Sequence, residues 1–499
     1  MRERLKSGPA EEVVRYLIRP RLEGEVESLF AHMGRVNRAH VAMLSERGII
    51  DAKSGARILE SLVGMDKRGV SSLVLDPNKE DLYFNVEAVV IGELGGDAGG
   101  QMHTGRSRND LYATIHRLKT RAIAAHLTGF ALKLRRRLLE KASENVEVVM
   151  TGYTHMQPGQ PITVGHYYAG VAQALGRDAQ RLLDAWRNIN LNPLGAGALA
   201  TTGFPIDRRR TAELMGFDGL IENSIDAVGS RDYISELLFG LSTAAITVSR
   251  LAHDLQLWYT FEFGYIDMDD SIAGTSSIMP QKKNPSAIEH LKAKPAHLIG
   301  ALVSSLTALK ATPFTHSREV GGESLALLPA AAEQAEAVLG LAEAVVRSVR
   351  FRADVLLAAA RRNYCTLTEL ADMLVRDHNV SFRTAHAVVG ALTRTAIDKG
   401  LSGSDAITAE MVKAIAREVA GLDLKLSDKE LAAVLDPRFN VEQRSVEGGP
   451  APAATRATIG RMMADLEAQE STLAARIAKL EAADRELAKA VNARVAAGA

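Results

Sequence analysis

The chain has a single cysteine, Cys365, among 499 residues. One thiol cannot close an intrachain disulfide, so no disulfide framework is available, and a reducing cytoplasm is the expected location. Net charge is missing as well, because 60 Lys and Arg balance 60 Asp and Glu. No overall field is left to hold nucleic acid or an anionic membrane, and neither is expected as a partner. The opening stretch MRERLKSGPAEEVVRYL lacks the apolar segment of a secretory signal. No uninterrupted apolar run reads as long enough to span a bilayer. Strand-like alternation is scarce. There is no GxxxxGK[ST] loop, no GxSxG elbow, no HExxH and no Cys–His cluster, and the glycines of GELGGDAGGQMH lack GxGxxG spacing. No metal and no cofactor is expected.

What fills the chain is helix. Hydrophobic residues make up 46% and charged residues 24%, ordinary values for a globular protein. Residues 127–150 repeat apolar positions at helical spacing, and 235–263 are apolar around most of their circumference, as at the centre of a bundle. The expected fold is all-α: an N-terminal helical domain (1–105), a central long-helix bundle (106–355) and a C-terminal helical domain (356–499) with an extra terminal helix. In that terminal helix Ile459, Leu466, Leu473, Leu480 and Leu487 recur every seven residues, interrupted by Glu470 and Asp484. The pattern predicts an amphipathic helix packed on its own domain in preference to a coiled coil.

Three polar blocks interrupt the helices. GTSSIMPQKKNPSAIEH (274–290) contains two prolines that forbid a continuous helix. Asn284 and Pro285 read as N-cap and first helical residue, with Glu289 in the helix that follows. Lys282 and Lys283 sit where the helix dipole disfavours cations, which makes sense if an anion joins them; a capped loop is the plainer reading. HTGRSRND (103–110) crowds Ser107, Arg108 and Asn109 ahead of a helix, donors suited to carboxylate or phosphate, or else a solvated turn with Asp110 pairing the arginines. GYTHMQPGQP (152–161) offers Thr154, Gln160 and His155, the residue type best suited to proton transfer near neutral pH.

Together these blocks resemble the fumarase/aspartase superfamily, and most closely the argininosuccinate lyase family. NPLGAGALATTGFPIDR, NSIDAVGSRDYISELL, ELADMLVRDHNVSFRTAHAVVG and SVEGGPAPAAT follow in the family's order, so the likeness runs over roughly residues 80–455. It implies a homotetramer with a twenty-helix central bundle and active sites shared between subunits, each block coming from a different one. It implies elimination of fumarate from an N-substituted aspartate, with argininosuccinate as the default substrate. Ser276 matches the base, with Ser277 as the alternative; Lys282 and Asn284 match the positions that stabilise the developing carboxylate charge. His155, with Glu289 as partner, matches the leaving-amine side. Ser107, Arg108, Asn109, Thr154, Gln160 and Arg231 match positions that bind the small dicarboxylate substrate.

Departures from the family pattern cluster at the other end of the substrate. The Ser and Asp expected near Leu22 and Val26 have no counterparts, Tyr83 stands where His is usual, and His316, Gly321 and Ser324 replace Tyr, Gln and Lys. A sister lyase acting on another N-substituted aspartate, such as ethylenediamine-disuccinate, is the alternative. A non-catalytic crystallin-like protein is a third reading, which the intact Ser276, Lys282, Asn284 and His155 weigh against.

Overall fold

The architecture follows from a few very long helices, each started by a capping side chain. In the computed structural model, which describes residue 4, residues 6–362 and residues 364–498, nearly all regular structure is helical. An N-terminal group comprises α1 (Arg19–Glu46), α2 (Ala52–Arg68) and α3 (Leu82–Leu94). The longest central rod is α4 (Arg108–Glu144), opened by a capping box between Ser107 and Asp110. A hairpin follows, β1 (Val149–Thr154) and β2 (Gln157–Thr163), antiparallel with Thr154 opposite Gln157. The chain returns along α5 (Val164–Ile189), capped by Thr163, and later along α6 (Asp232–Tyr259).

Beyond α6, β3 (Ile266–Asp267) pairs with Arg350–Phe351. Two short strands, β4 (Gly274–Thr275) and β5 (Lys283–Asn284), then pin the base of a loop. Next come α7 (Ser286–Ala293), α8 (Pro295–Leu309) and α9 (Leu328–Ser348), and α10 (Pro452–Gly498) ends the chain. At 1.5 Å per residue α4 is about 55 Å long, α6 about 42 Å and α10 about 70 Å.

Helices α4 to α9 bury one continuous apolar core, with Leu134, Tyr168, Leu237, Ile288 and Val338 each fully enclosed. A second core joins α1–α3 to the first turns of α4. A third lies among Leu367–Arg376, Phe382–Asp398 and Ala409–Ala420. Close backbone approach holds the hairpin against the rod: a Cβ on Gly165 would stand 2.6 Å from the Ala142 carbonyl oxygen.

Four expectations are corrected. The helix foreseen over 127–150 ends at Glu144, because the chain turns and becomes β1. Pro285 takes the N-cap position, one residue later than expected, and Asn284 lies in β5, where its Nδ2 donates to the Thr275 carbonyl across the strand pair. Two segments, 232–259 and 318–348, do have the length and hydropathy to cross a membrane; both supply side chains to the central core. Finally, α10 does not pack on the neighbouring C-terminal helices. Its first half, through Leu466 and Leu473, packs on α4 and α5. Its second half, through Leu487, Ala490 and Val491, packs on α1 and α2. Arg35–Asp484, Arg135–Asp465 and Arg136–Glu470 ion pairs line the same path.

This route sets a test. Leu487 is 3% exposed in the N-terminal core, so Leu487→Ala should cost about 2–4 kcal/mol of unfolding free energy. Half-buried Leu480→Ala should cost under about 1 kcal/mol. Equal losses in denaturant melts would contradict the placement of α10.

Candidate active site

Ser107, Arg108 and Asn109 sit at the head of α4, held there by Asp110. Asp110 is fully buried and accepts from the backbone N–H groups of Ser107 (2.9 Å), Gly195 (2.8 Å) and Gly197 (3.0 Å). It therefore pairs with backbone donors and not with the neighbouring arginines, contrary to the solvated-turn reading. Burial outweighs those three donors and lifts its carboxyl to about 6. Arg108 turns instead to Asp81 (2.6 Å) and Glu80 (3.3 Å) and lies over the Phe84 ring. Behind the loop, the buried Tyr83 hydroxyl donates to Glu87 (2.9 Å), contacts His103 Nδ1 (2.8 Å) and accepts from Arg106 (3.4 Å). Tyr83 thus fixes the block from inside the core.

Arg231 belongs to this same end. It is 1% exposed at the start of α6 and donates to the carbonyls of Val228 and Ser230, while its Nε and one terminal nitrogen lack partners among the described residues. Arg117 of α4 reaches Ser230 Oγ at 3.0 Å, which ties the two helix starts together. The segment 313–325 folds over this end: Thr315 lies against Gly229, and His316, Ser317 and Arg318 line a cleft of about 260 Å³ with Arg21, Arg108 and Asn109.

Thr154, His155 and Gln160 stand at the opposite end, on the exposed hairpin. His155 and Met156 form a two-residue turn with φ +53° and +60°, the pattern of a type I′ turn without the usual Asn-Gly. Tyr153 and Tyr265 hydroxyls meet at 2.9 Å, fastening the hairpin beside β3. The third block is at this end too. Lys283 pairs with Asp267 (3.2 Å) and Asp270 (2.9 Å), so only Lys282 is left exposed and without a side-chain partner among the described residues. Ser276 Oγ accepts from Met279 N–H at 3.1 Å and Ile278 N–H at 3.5 Å. Ser277 is exposed, as is Glu289.

Within one chain, then, Ser107, Arg108, Asn109 and Arg231 are brought together. Thr154, His155, Gln160, Ser276, Lys282, Asn284 and Glu289 lie about 40–50 Å away along α4 and α6. Among the described residues no hydrogen bond or ion pair joins the three blocks. Arg21, Asp81, Tyr112 and Arg318 were not singled out by sequence, where they read as ordinary helix-surface residues; the spacing of Arg21 and Glu25, four apart on α1, was the available signal. Leu22 and Val26 are buried in the N-terminal core and cannot face a ligand.

Likeness to known proteins places this arrangement of long helices with polar blocks at their ends among the lyases of the fumarase/aspartase superfamily. A family model described as lyase matches residues 36–300, and one described as argininosuccinate lyase C-terminal matches residues 364–442. The chain belongs to the argininosuccinate lyase family of carbon–nitrogen lyases. It is 40% identical to argininosuccinate lyase 1 of Shouchella clausii over 93% of this chain and 92% of the relative. It is 39% identical to argininosuccinate lyase of Methanosarcina acetivorans, over 95% and 94%. Among solved structures, EDDS lyase in complex with formate superposes with a TM-score of 0.89 at 34% identity, covering 99% of this chain and 97% of that one.

Asp110 supplies a test with a definite sign. A buried carboxyl raised to about 6 favours the protonated form on folding. Its contribution to stability is complete below the unfolded pKa of about 4 and is lost as pH rises to about 6. The stability difference between wild type and Asp110→Asn, measured by urea melts, should therefore shrink by about 2–3 kcal/mol over that interval. A difference that grows with pH would refute the assignment.

Proposed function

We propose that this protein is a homotetrameric argininosuccinate lyase-type enzyme that eliminates fumarate from an N-substituted aspartate, with argininosuccinate, cleaved to arginine and fumarate, as the default substrate. The observation that carries this is 40% identity to argininosuccinate lyase 1 over 93% of the chain, together with complete fumarate-side blocks. In this reading Ser276 is the base. Backbone N–H groups of Met279 and Ile278 on its Oγ and the nearby Lys282 favour the ionised oxygen. Ser276 takes the Cβ proton, and the electron pair passes into the adjacent carboxylate, where Lys282 and Asn284 meet the developing charge. The pair then forms the Cα=Cβ bond as the Cα–N bond breaks, and the leaving nitrogen takes a proton on the side of His155 and Glu289. Ser107, Arg108, Asn109, Thr154, Gln160 and Arg231 hold the carboxylates.

The separation of the blocks supports sites shared between subunits, in which one copy's α4 head meets the hairpin and the 274–290 loop of others. Apolar stripes support the assembly: Ile299, Val303 and Leu306 on α8 and Phe239 and Ile246 on α6 are 40–57% exposed. Stripes at helical spacing on central rods suit a twenty-helix bundle of four copies. A second reading, a sister lyase for a substrate such as ethylenediamine-disuccinate, is favoured by the likeness to EDDS lyase and by His316, Gly321 and Ser324.

Fumarate release from purified protein, followed by ultraviolet absorbance over a panel of N-substituted aspartates, tests the reaction. A kcat/KM for argininosuccinate of roughly 10⁴ M⁻¹s⁻¹ or above is expected of the default substrate. Undetectable cleavage beside turnover of another member of the panel would select the second reading. Ser276→Ala and His155→Asn should each be inactive as pure proteins. Co-reassembled in equal amounts they should regain about a quarter of wild-type activity, since half of each contribution is intact at random. No recovery in verified mixed tetramers would rule out the hairpin and the 274–290 loop reaching one site from different subunits.

A further inference from the structure

Residues 276–282 form a loop whose base is a ladder of two residue pairs, Gly274 with Asn284 and Thr275 with Lys283. Among the described residues, no side chain of 276–282 bonds to anything outside the loop. Ser276 Oγ accepts from the loop's own Ile278 and Met279 N–H groups, and Lys282 has no side-chain partner among the described residues. The aim of both side chains is therefore set at the base. There Asn284 Nδ2 donates to the Thr275 carbonyl at 3.2 Å, and Gly274 is hemmed in, since a Cβ on it would collide with Ser286 Oγ.

Lys283 ties this base to the body of the protein. An ammonium has three N–H donors, and this one has three acceptors: Asp267 at 3.2 Å, Asp270 at 2.9 Å and the Met268 carbonyl. The Lys283 carbonyl in turn accepts from the Tyr259 hydroxyl, at the end of α6, at 3.4 Å. The acceptors are themselves braced, because Asp267 pairs with Arg350 across the β3 ladder and Arg350 also reaches Asp269. Ion pairs this exposed add little to global stability; the Asp270 side chain is 97% exposed. What three acceptors do fix is direction. Successive side chains of an extended strand leave on opposite faces, so a Lys283 committed to 267–270 turns Lys282 and Asn284 to the other side. The arrangement also removes a competing charge: of two adjacent lysines, one is matched by two acids and the other is free.

We propose that Lys283 is a positioning residue: anchored on Asp267, Asp270 and the Met268 carbonyl, it holds the base of the 276–282 loop so that Lys282 carries the loop's free charge to the substrate carboxylate, with Asn284 on the same side. This rests on the elimination reading above and adds to it a residue that touches no substrate. The two lysines of the block thus divide the work, one meeting the developing charge and the other aiming it.

The test is steady-state kinetics of the full-length protein on whichever of argininosuccinate and ethylenediamine-disuccinate wild type turns over faster. Lys283→Met should lower kcat about 10- to 100-fold, the loss expected when a group that meets transition-state charge is misplaced. KM should move less than about threefold, because no substrate contact is removed, and the urea midpoint should match wild type. Lys282→Met should lose about 100- to 1,000-fold, as for a deleted charge-stabilising donor. Lys283→Arg should regain most of kcat, since a guanidinium can bridge the two acids. The acid pair variant Asp267→Asn/Asp270→Asn should reproduce the Lys283→Met loss, and adding Lys283→Met to it should cost nothing further, because both remove one anchor. A kcat unchanged by Lys283→Met overturns the proposal. So does a loss confined to KM, or losses that multiply in the triple variant, either of which would make Lys283 a direct substrate contact. Failure of wild type to release fumarate from both compounds would refute the elimination reading itself, and Lys283 would lose its role with it. Wild-type turnover with an indifferent Lys283→Met would refute the Lys283 assignment alone.

Discussion

An α-helix advances 1.5 Å per residue and does not bend back on itself, and that constraint governs the rest of this molecule. Helix α4 carries Ser107–Asn109 at its head and delivers the chain to the Thr154–Gln160 hairpin only after 37 residues. Helix α6 repeats the separation, with Arg231 at one end and the approach to Ser276 and Lys282 at the other. The rods keep polar chemistry at their tips and leave their flanks to apolar packing. Helix α10 reinforces the same geometry, because it bridges the central core and the N-terminal core that supports the head of α4.

The head of α4 is also where positive charge is buried most deeply, and neutral acceptors hold much of it. Arg117 donates to the Asn188 carbonyl and to Ser230 Oγ, Arg121 to Asn190 Oδ1 and the Met215 carbonyl, and Arg231 to the Val228 and Ser230 carbonyls. Carbonyl oxygens satisfy the N–H groups without cancelling their charge. The one buried acid in the block, Asp110, is turned toward backbone donors and carries a raised pKa. What remains is a positive environment around a helix N-terminus, suited to a dianion.

Much of this was legible in the sequence. Period-3.6 patterning gave the all-α class, and the three blocks with their order gave the family. The hairpin was not legible, since its turn is His155-Met156 and not Asn-Gly, and its strands hold Gly and Pro in place of alternating β-branched residues. The destination of α10 was hidden for another reason: a seven-residue repeat reports that a face is buried but not what covers it. Arg21 and Arg318 escaped notice because a charged residue on a helix surface is the commonest thing in such a chain. Only folding brings them to one cleft from positions nearly 300 residues apart.

The hairpin turn bears on why the blocks must be offered outward. Two non-glycine residues at positive φ cost on the order of 1 kcal/mol each, and the conformation persists only where its surroundings enforce it. Pairing along β1 and β2, the Tyr153–Tyr265 contact and the tight approach at Gly165 supply that enforcement from below. His155 and Met156 themselves are exposed at the tip. The turn is the cost of closing the hairpin, and it holds His155 clear of the bundle's packing. An imidazole held this way is what a site completed by another copy's α4 head, as proposed above, would require.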